Sequence, residues 1–326
     1  MLTGSITLPP IASGPLGAQA LQEEKAIQCE KLNFVLISKN GRHIAGLGPR
    51  GFKLWERDPV RLIGSFTDPA GRANGWSFTA WAFSPNGKAL AVSDVGGAVS
   101  LYGTLRGDLA QRLTISDSSV WAAAFSPDGR LLGTTSADHL LRVWDVTANR
   151  LLWVCPGAQV GFMRDLAFSP DAAKIAAAAD NANVYLWDVS TGKLLHIFEE
   201  TLMASFGLAF SKDGKQLMVG GASSEISVFN VLTGTRQRTF GREQNVVASL
   251  KLSPRGDVVA ARYRNPIDTA KPAPVILWDT TSGKTKLKLE IADTHFDAVS
   301  WNQSGLVVTS WSDGRLRVWT VPYGSI

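Results

Sequence analysis

Hydrophobic and polar positions alternate in short runs along most of the chain, and these runs recur in a fixed order. The clearest copy is residues 125–145, FSPDGRLLGTTSADHLLRVWD, in which a Gly-containing turn, an apolar run, a polar turn and an alternating run follow one another. A further apolar run, RLLWV at 150–154, comes next. Short apolar or alternating runs bounded by turn signals are typical of β-strands. Each unit is therefore predicted to contain three strands, followed by a fourth in RLLWV.

The same unit recurs along the chain with a period close to 42 residues. Variants of the FSPDG turn begin seven times, at residues 37, 83, 125, 168, 210, 252 and 301. A large aromatic residue follows each turn at a nearly constant offset: Trp55, Tyr102, Trp144, Trp187, Phe229, Trp278 and Trp319. A chance hairpin pattern would not keep this register, so the unit is a structural repeat.

A four-stranded sheet of this length has two apolar faces and cannot bury either face alone. Stacking such sheets radially covers both faces, and closing seven of them into a ring leaves no exposed end face. The sequence therefore predicts an all-β fold, a seven-bladed β-propeller of four-stranded antiparallel blades.

Trp-Asp pairs end the alternating run in three copies, at 144–145, 187–188 and 278–279, and a Trp-Glu pair does so at 55–56. Together with the FSPDG turns, these pairs resemble the repeats of the WD-repeat (β-transducin-like) propellers. The resemblance covers about residues 30–321 and implies a propeller domain there. Residues 1–29 are then an N-terminal extension with a clasping strand, and residues 322–326 are a short C-terminal tail.

Blades of this family often contain a hydrogen-bonded network of His, Ser or Thr, Asp and Trp. In this chain only Asp138 and Asp313 lie six residues before their Trp, and only Asp138 has a Ser partner, Ser136. The position of the His is occupied by another residue type in all seven copies. We expect the blades to depend more on aromatic packing. The residues assigned a structural role are Ser136, Asp138, Trp144, Trp187, Trp278, Asp313 and Trp319.

The last unit has only seven residues after Trp319, so its fourth strand must come from elsewhere. The resemblance implies that the N-terminus supplies this strand and closes the ring. Residues 2–8, LTGSITL, have the better strand alternation and are favoured. Residues 20–28 have the better spacing to the first blade but a helical composition, which would make them a loop or a short helix.

In this family, the loops that precede the first strands share one rim with the loops between the second and third strands. Large and chemically diverse residues occur there, of the types that anchor interfaces. The candidate partner-binding residues at this rim are Trp76, Trp121, Phe162, Arg164, Phe206, Asn245, His295 and Asp297. The resemblance implies a non-catalytic scaffold that binds a protein or peptide through these residues.

The sixth unit contains about seven extra residues within RYRNPIDTAKPAP at 262–274. Long loops on a rigid scaffold favour recognition. Arg262, Tyr263, Arg264 and Lys271 would suit nucleic acid or a phosphorylated or acidic ligand, which is the alternative hypothesis. A solvated loop is the plainer interpretation.

An enzyme is the interpretation that the sequence favours least. The sequence contains no Gly-x-Ser-x-Gly elbow, no phosphate-binding Gly-rich loop with Lys, and no Cys-x-x-Cys or His-x-x-x-His metal-ligand spacing. We therefore predict no catalytic residues, no metal and no cofactor. The propeller is expected to be monomeric by itself and to act within a complex.

Composition changes this picture little. Thirty-three basic residues against 28 acidic ones give a formal charge of +5, but the charges are scattered, as on a solvated surface. No window is apolar enough for a membrane span.

The chain has two cysteines, Cys29 and Cys155, which suits a reducing compartment. We predict an intracellular protein, cytoplasmic or nuclear. Residues 17–20, GAQA, resemble the cleavage site of a signal peptide, but Lys25 is the first basic residue and Pro9-Pro10 interrupts the apolar start, which argues against one.

Overall fold

The computed structural model describes residues 22–29, 32, 34–48, 51–67, 78–155, 161–199, 205–265, 274–289, 296–301, 306–311 and 315–320. The regular elements in these ranges are β-strands, numbered β1 to β28 in chain order. They form four-stranded antiparallel sheets. Six sheets are each built from four consecutive strands, and a further sheet combines the first strand of the chain with the last three.

The strands fall into four groups by their place in a sheet. The first strands, which border the central channel, are β2 (Phe34–Ile37), β6 (Phe78–Phe83), β10 (Val120–Phe125), β14 (Met163–Phe168), β18 (Ser205–Phe210), β22 (Val246–Leu252) and β26 (Phe296–Trp301). The second strands are β3 (His43–Gly48), β7 (Ala89–Asp94), β11 (Leu131–Ser136), β15 (Lys174–Ala179), β19 (Gln216–Gly221), β23 (Val258–Arg264) and β27 (Leu306–Trp311).

The third strands are β4 (Gly51–Glu56), β8 (Ala98–Gly103), β12 (Leu141–Asp145), β16 (Asn183–Asp188), β20 (Ile226–Asn230), β24 (Val275–Asp279) and β28 (Arg315–Thr320). The fourth, outermost strands are β5 (Arg61–Phe66), β9 (Leu109–Thr114), β13 (Arg150–Val154), β17 (Leu194–Glu199), β21 (Arg236–Phe240), β25 (Thr285–Leu289) and β1 (Gln22–Gln28). The prediction of an all-β propeller of four-stranded antiparallel blades is confirmed.

The core lies between adjacent sheets. In β15, Ala177 and Ala179 pack in a cluster with the preceding sheet, whereas Ala176 and Ala178 pack in a cluster with the following sheet. Successive side chains of a strand point to opposite faces, so one strand contributes to two cores. Sheets of this kind are covered on both faces by their neighbours.

The sequence preference for residues 2–8 as the strand beside β28 was wrong, because β1 at 22–28 occupies that position. Gln22 is paired with Thr320, and Gln28 with Arg315. Residues 2–8 lie outside the described residues. The helical composition of β1 is overridden by pairing and burial: Ile27 is 6% exposed and packs against Trp55, Leu316 and Val318.

A serine in the first turn of the first six units explains the recurrent marker. In the Ser-Pro-Asp-Gly turn, the Ser126 hydroxyl donates to Asp128 Oδ1 at 2.5 Å and accepts the Leu131 N–H at 2.9 Å. Related serine-centred turns form at Ser38, Ser84, Ser169, Ser211 and Ser253. The residue that closes the turn has a positive φ, which glycine adopts without strain. It is Gly129 at φ 77° here, but Ala172 at φ 58° in the next unit.

The aromatic residues of the third strands are core residues where the structure describes them. Trp187 is 1% exposed, Trp278 6% and Trp319 3%, as their structural assignment predicts. Trp144 is half-buried, and its Nε1 is buried without a hydrogen-bond partner among the described residues. The residues around it therefore do not form the full network that the family resemblance suggests.

The polar groups beside Trp144 form a different network, which Arg142 completes. The Ser136 hydroxyl donates to Asp138 Oδ1 at 2.5 Å, and Arg142 Nη2 donates to Asp138 Oδ2 at 2.6 Å. Arg142 Nη1 also contacts the Ser136 hydroxyl at 2.8 Å. Burial acts to raise the pKa of Asp138, but the hydrogen bonds from Arg142 and Ser136 outweigh it and hold the pKa below its usual value. Asp313 lies outside the described residues.

Deleting residues 1–28 should lower stability, because it exposes the edge of β28 and removes Ile27 from the core. The loss of Ile27 alone should cost about 2 to 4 kcal/mol of the free energy of unfolding. The matched control is deletion of residues 1–21, which retains β1. Chemical denaturation of the three proteins tests this expectation. Equal midpoints for both deletions would contradict the pairing of β1 with β28.

Ala172→Gly should stabilise the protein. A left-handed alanine costs about 1 to 2 kcal/mol, and the greater freedom of glycine in the unfolded chain offsets about 0.4 to 1 kcal/mol of that cost. We expect a net gain of about 0.5 to 1 kcal/mol. The reverse change at the equivalent position, Gly214→Ala (φ 70°), should cost a similar amount. Urea unfolding measures the free energy of unfolding of both variants. A lower value for Ala172→Gly than for the wild type would contradict backbone strain at Ala172.

Arg142→Met should cost about 2 kcal/mol at pH 7, because it leaves the Asp138 carboxylate without its charged donor. The folded-state pKa of Asp138 is depressed, so its stabilisation is present above about pH 4 and is lost as the pH falls through the folded-state value. The difference from the wild type should therefore shrink below about pH 4.

The control for this change is Arg112→Met, in which the arginine also pairs with an aspartate, Asp94, but is 51% exposed. An exposed pair contributes about 0 to 1 kcal/mol. Denaturant unfolding at pH 7 and pH 3 compares the two variants. An Arg142→Met penalty that is constant between these pH values would show that lost packing, not the ion pair, is responsible.

Candidate interaction site

The first strands of the sheets surround a channel of about 540 Å³, to which β2, β6, β10, β14, β18, β22 and β26 all contribute residues. These strands begin at one end of the channel and end at the serine turns. We call the first end the upper rim and the second the lower rim. The channel volume lies within the range of ligand-binding cavities.

A β-bulge near the start of several first strands places a large side chain at the upper rim. The register with the second strand shifts between Val120 and Ala122 in β10, so Trp121 is the extra residue. The same shift makes Arg164 the extra residue in β14 and Phe206 the extra residue in β18. A bulge interrupts the strict alternation of side chains and re-aims the extra one. Trp121, Arg164 and Phe206 accordingly border the channel.

Four residues form an aromatic and cationic group at the upper rim, which we call the rim cluster: Trp121, His139, Phe162 and Arg164. The Arg164 guanidinium lies 5.0 Å from the centroid of the Trp121 ring and 6.0 Å from that of Phe162. The Trp121 and Phe162 centroids are 5.9 Å apart, and those of His139 and Phe162 are 4.2 Å apart. Trp121 remains 36% exposed, so the cluster offers an accessible aromatic surface.

Asp180, in the turn between β15 and β16, holds this cluster in place. Its carboxylate accepts the Phe162 N–H at 2.9 Å, and its own N–H donates to the Phe162 carbonyl at 3.1 Å. It also lies 3.9 Å from Arg164. The aromatic surface is thus anchored by backbone hydrogen bonds and is pre-organised for a partner.

The sixth sheet brings two arginines to the same rim. Arg262 and Arg264 are two residues apart in β23, which places them on one side of the strand. Arg264 lies over the Phe206 ring at 5.4 Å, and Arg262 borders the channel. In β22 the bulge residue is Ala248, not a large side chain. The small residue leaves room for the arginine from the neighbouring strand.

Tyr263 is not a surface residue, so its assignment to partner binding is corrected. It is 1% exposed, and its hydroxyl donates to the Gly241 carbonyl at 2.6 Å. Burial raises the pKa of this phenol well above its usual value. The alternation of β23 explains the error, because it sends Tyr263 into the core and its two neighbours to the other side.

The channel also contains a charged pair that the sequence patterns did not single out as a site. Asp165 Oδ1 accepts the Leu166 N–H at 2.9 Å, and Oδ2 accepts the Leu208 N–H of the next sheet at 3.0 Å. Burial raises the pKa of Asp165, while nearby Lys251 and the two N–H groups act against this. A comparison of equivalent positions across the repeats would have revealed Asp165, because Ala122 and Gly207 occupy its place in the adjacent units.

The remaining candidates are less informative. Asn245 is half-buried before β22, and the structure does not bring it into the rim cluster. Trp76, His295 and residues 266–273, which include Lys271, lie outside the described residues, and the side chain of Asp297 is not described. His139 occupies a turn with φ 66°, and its ring lies beside that of Phe162.

Searches of the described part of the chain find no group of His, Cys, Asp or Glu residues that could hold a metal ion. The same part of the chain contains no helix long and apolar enough to cross a membrane. Both cysteines are free thiols, Cys155 in the core and Cys29 half-buried.

Comparison with protein families identifies two of the repeats. Residues 107–145 and 149–188 match the family model described as WD domain, G-beta repeat. These ranges contain the Trp144-Asp145 and Trp187-Asp188 pairs, and the first contains the Ser136–Asp138 turn.

Proposed function

We propose that this chain, a β-propeller that contains WD repeats, is a non-catalytic scaffold that binds a protein or peptide through its upper rim. Propellers of this family generally serve as platforms for protein interaction. The observation that carries the proposal is the rim cluster, in which an accessible Trp121 contacts both Arg164 and Phe162. Trp, Tyr and Arg are the residue types that dominate the affinity of protein interfaces.

A closed ring of seven blades is part of this proposal, because a platform must hold its rim residues in fixed positions. Seven four-stranded sheets support it. The last sheet contacts its neighbours on both sides, since β26 lies against β22 and β2. The Ile37 N–H also donates to the Ser300 hydroxyl at 3.3 Å, and β1 pairs with β28. A closed ring would hold the rim residues rigidly before a partner binds, so that little conformational entropy would be lost on binding.

The contacts of Arg264 and Arg262 favour the scaffold over the alternative of a separate basic loop that reads nucleic acid or a phosphorylated ligand. Arg264 engages Phe206, and Arg262 borders the channel, so both arginines extend the same rim as Trp121. We propose that the partner contacts an aromatic and cationic surface made by the third to sixth sheets. An intracellular location and action within a complex remain predictions.

The test is a selection of peptides from a randomised library against the wild-type protein, followed by affinity measurements on variants. Trp121→Ala should weaken binding of the selected peptides by about tenfold or more, as expected for an interface anchor. The matched control is Leu232→Ala, since Leu232 is 83% exposed in the turn between β20 and β21, away from the upper rim. Its affinity should equal that of the wild type.

Two results would reject the scaffold proposal. One is selected peptides that bind Trp121→Ala and Phe206→Ala as tightly as the wild type. The other is a failure of all peptides, combined with binding of single-stranded RNA or DNA that falls steeply with salt and is lost in Arg262→Ala and Arg264→Ala. The second result would support the alternative hypothesis.

A further inference from the structure

Two charged residues occupy channel positions at which the other first strands have uncharged residues. Lys251 directly precedes the turn marker of its unit; the equivalent residues are Leu36, Ala82, Ala124, Ala167, Ala209 and Ser300. Its register is also the same, because Lys251 is paired with Ala260 just as Ala167 is paired with Ala176. The scaffold therefore does not require a charge at this position.

Asp165 is a second departure of the same kind. It is paired with Ala178, and the equivalent pairs are Ala122 with Thr135 and Gly207 with Gly220. Moving a charged side chain out of water has a cost that small residues avoid. Hydrogen bonds from the N–H groups of Leu166 and Leu208 offset part of this cost for Asp165. Lys251 receives charge compensation from Asp165.

The channel as a whole has more positive than negative side chains. Among the described residues that border it, Lys39, Arg164, Lys251 and Arg262 are basic, whereas Asp165 is the one acidic residue. Cations that face a narrow channel with low-dielectric walls focus a positive potential inside it. The upper-rim arginines and the deeper Lys251 lie along one path from solvent into the cavity.

We propose that this channel is a binding site for an anionic group, carboxylate or phosphate, which Lys251 and Arg262 bind. The volume of about 540 Å³ accommodates a small polyanion or the acidic tip of a larger ligand. Arginine and lysine side chains bind such groups by charge-assisted hydrogen bonds. The site shares Arg262 with the upper rim of the proposed function, but it does not require Trp121 or Phe206.

The plainer alternative is that Asp165 and Lys251 form a structural pair that joins neighbouring sheets. A structural pair and an anion site predict different results for two substitutions. In an anion site, replacing Asp165 by Asn does not weaken binding, whereas removing the positive charge of Lys251 does. If Asp165 and Lys251 form a structural pair, both substitutions lower stability, and neither changes the affinity for an added anion.

Isothermal titration with pyrophosphate as the probe tests the proposal. The wild type should bind it saturably, and the affinity should fall as salt increases from 50 to 200 mM. Lys251→Gln should weaken binding about tenfold, whereas Asp165→Asn, which adds no repulsion to an anion, should not weaken it. The matched control is Lys212→Gln, because Lys212 is an exposed lysine of the lower turns that does not border the channel. Its affinity should equal that of the wild type.

Absence of saturable binding to the wild type would overturn the proposal. So would a loss of affinity in Asp165→Asn, or an unchanged affinity in Lys251→Gln. Thermal melting of each variant verifies that it is folded. If Asp165→Asn does not fold, Lys251→Gln and its control decide the question alone.

A competition experiment identifies the source of the anionic group. An acidic peptide selected at the upper rim is titrated in the presence of saturating pyrophosphate. Displacement of the peptide would mean that an acidic group of the partner enters the channel, and simultaneous binding would mean that the ligand is a free anion. Trp121→Ala should weaken peptide binding by about tenfold or more without changing pyrophosphate affinity, which separates a failure of the scaffold proposal from a failure of the anion site.

Discussion

Each sheet of this protein has two apolar faces, and both must be covered by neighbouring sheets. The alternation within β15, where Ala177 faces one core and Ala176 the next, shows this constraint in a single strand. Burial of apolar surface is the dominant favourable contribution to folding. Covering both faces of a sheet with neighbouring sheets leads to a radial arrangement, in which the first strands are brought together around a channel.

Crowding around the channel limits its side chains. Small residues such as Ala82, Ala122 and Ala124 border it. Larger residues are accommodated at the bulges, where Trp121, Arg164 and Phe206 are directed to the upper rim without disturbing the cores between sheets. Within one strand, the bulge residue is thus available for recognition while the other residues pack in the cores.

The local features of the fold could be predicted from sequence, whereas those that depend on distant pairing could not. The serine turns and the aromatic register depend on residues within one unit, so periodicity and turn chemistry were sufficient for them. The pairing of β1 with β28 joins segments almost three hundred residues apart, and local composition pointed to a helix or to residues 2–8 instead. Tyr263 was misassigned for a related reason, because its loop context suggested exposure while the strand alternation buries it.

The fold constrains the residue types at the lower rim more than those at the upper rim. At the lower rim, side chains such as Ser126 and Asp128 are already engaged with the backbone of their own turns, and Arg130 is paired with Asp145 of the Trp-Asp pair. These contacts define the repeat, so changing them destabilises the blade. At the upper rim the equivalent positions range from Trp121 to Ala248, and the connecting segments differ in length. Residues that the fold does not constrain can change to suit a ligand. Recognition should therefore evolve at the upper rim and in the channel beneath it. The better-preserved turns of the lower rim are constrained by the fold.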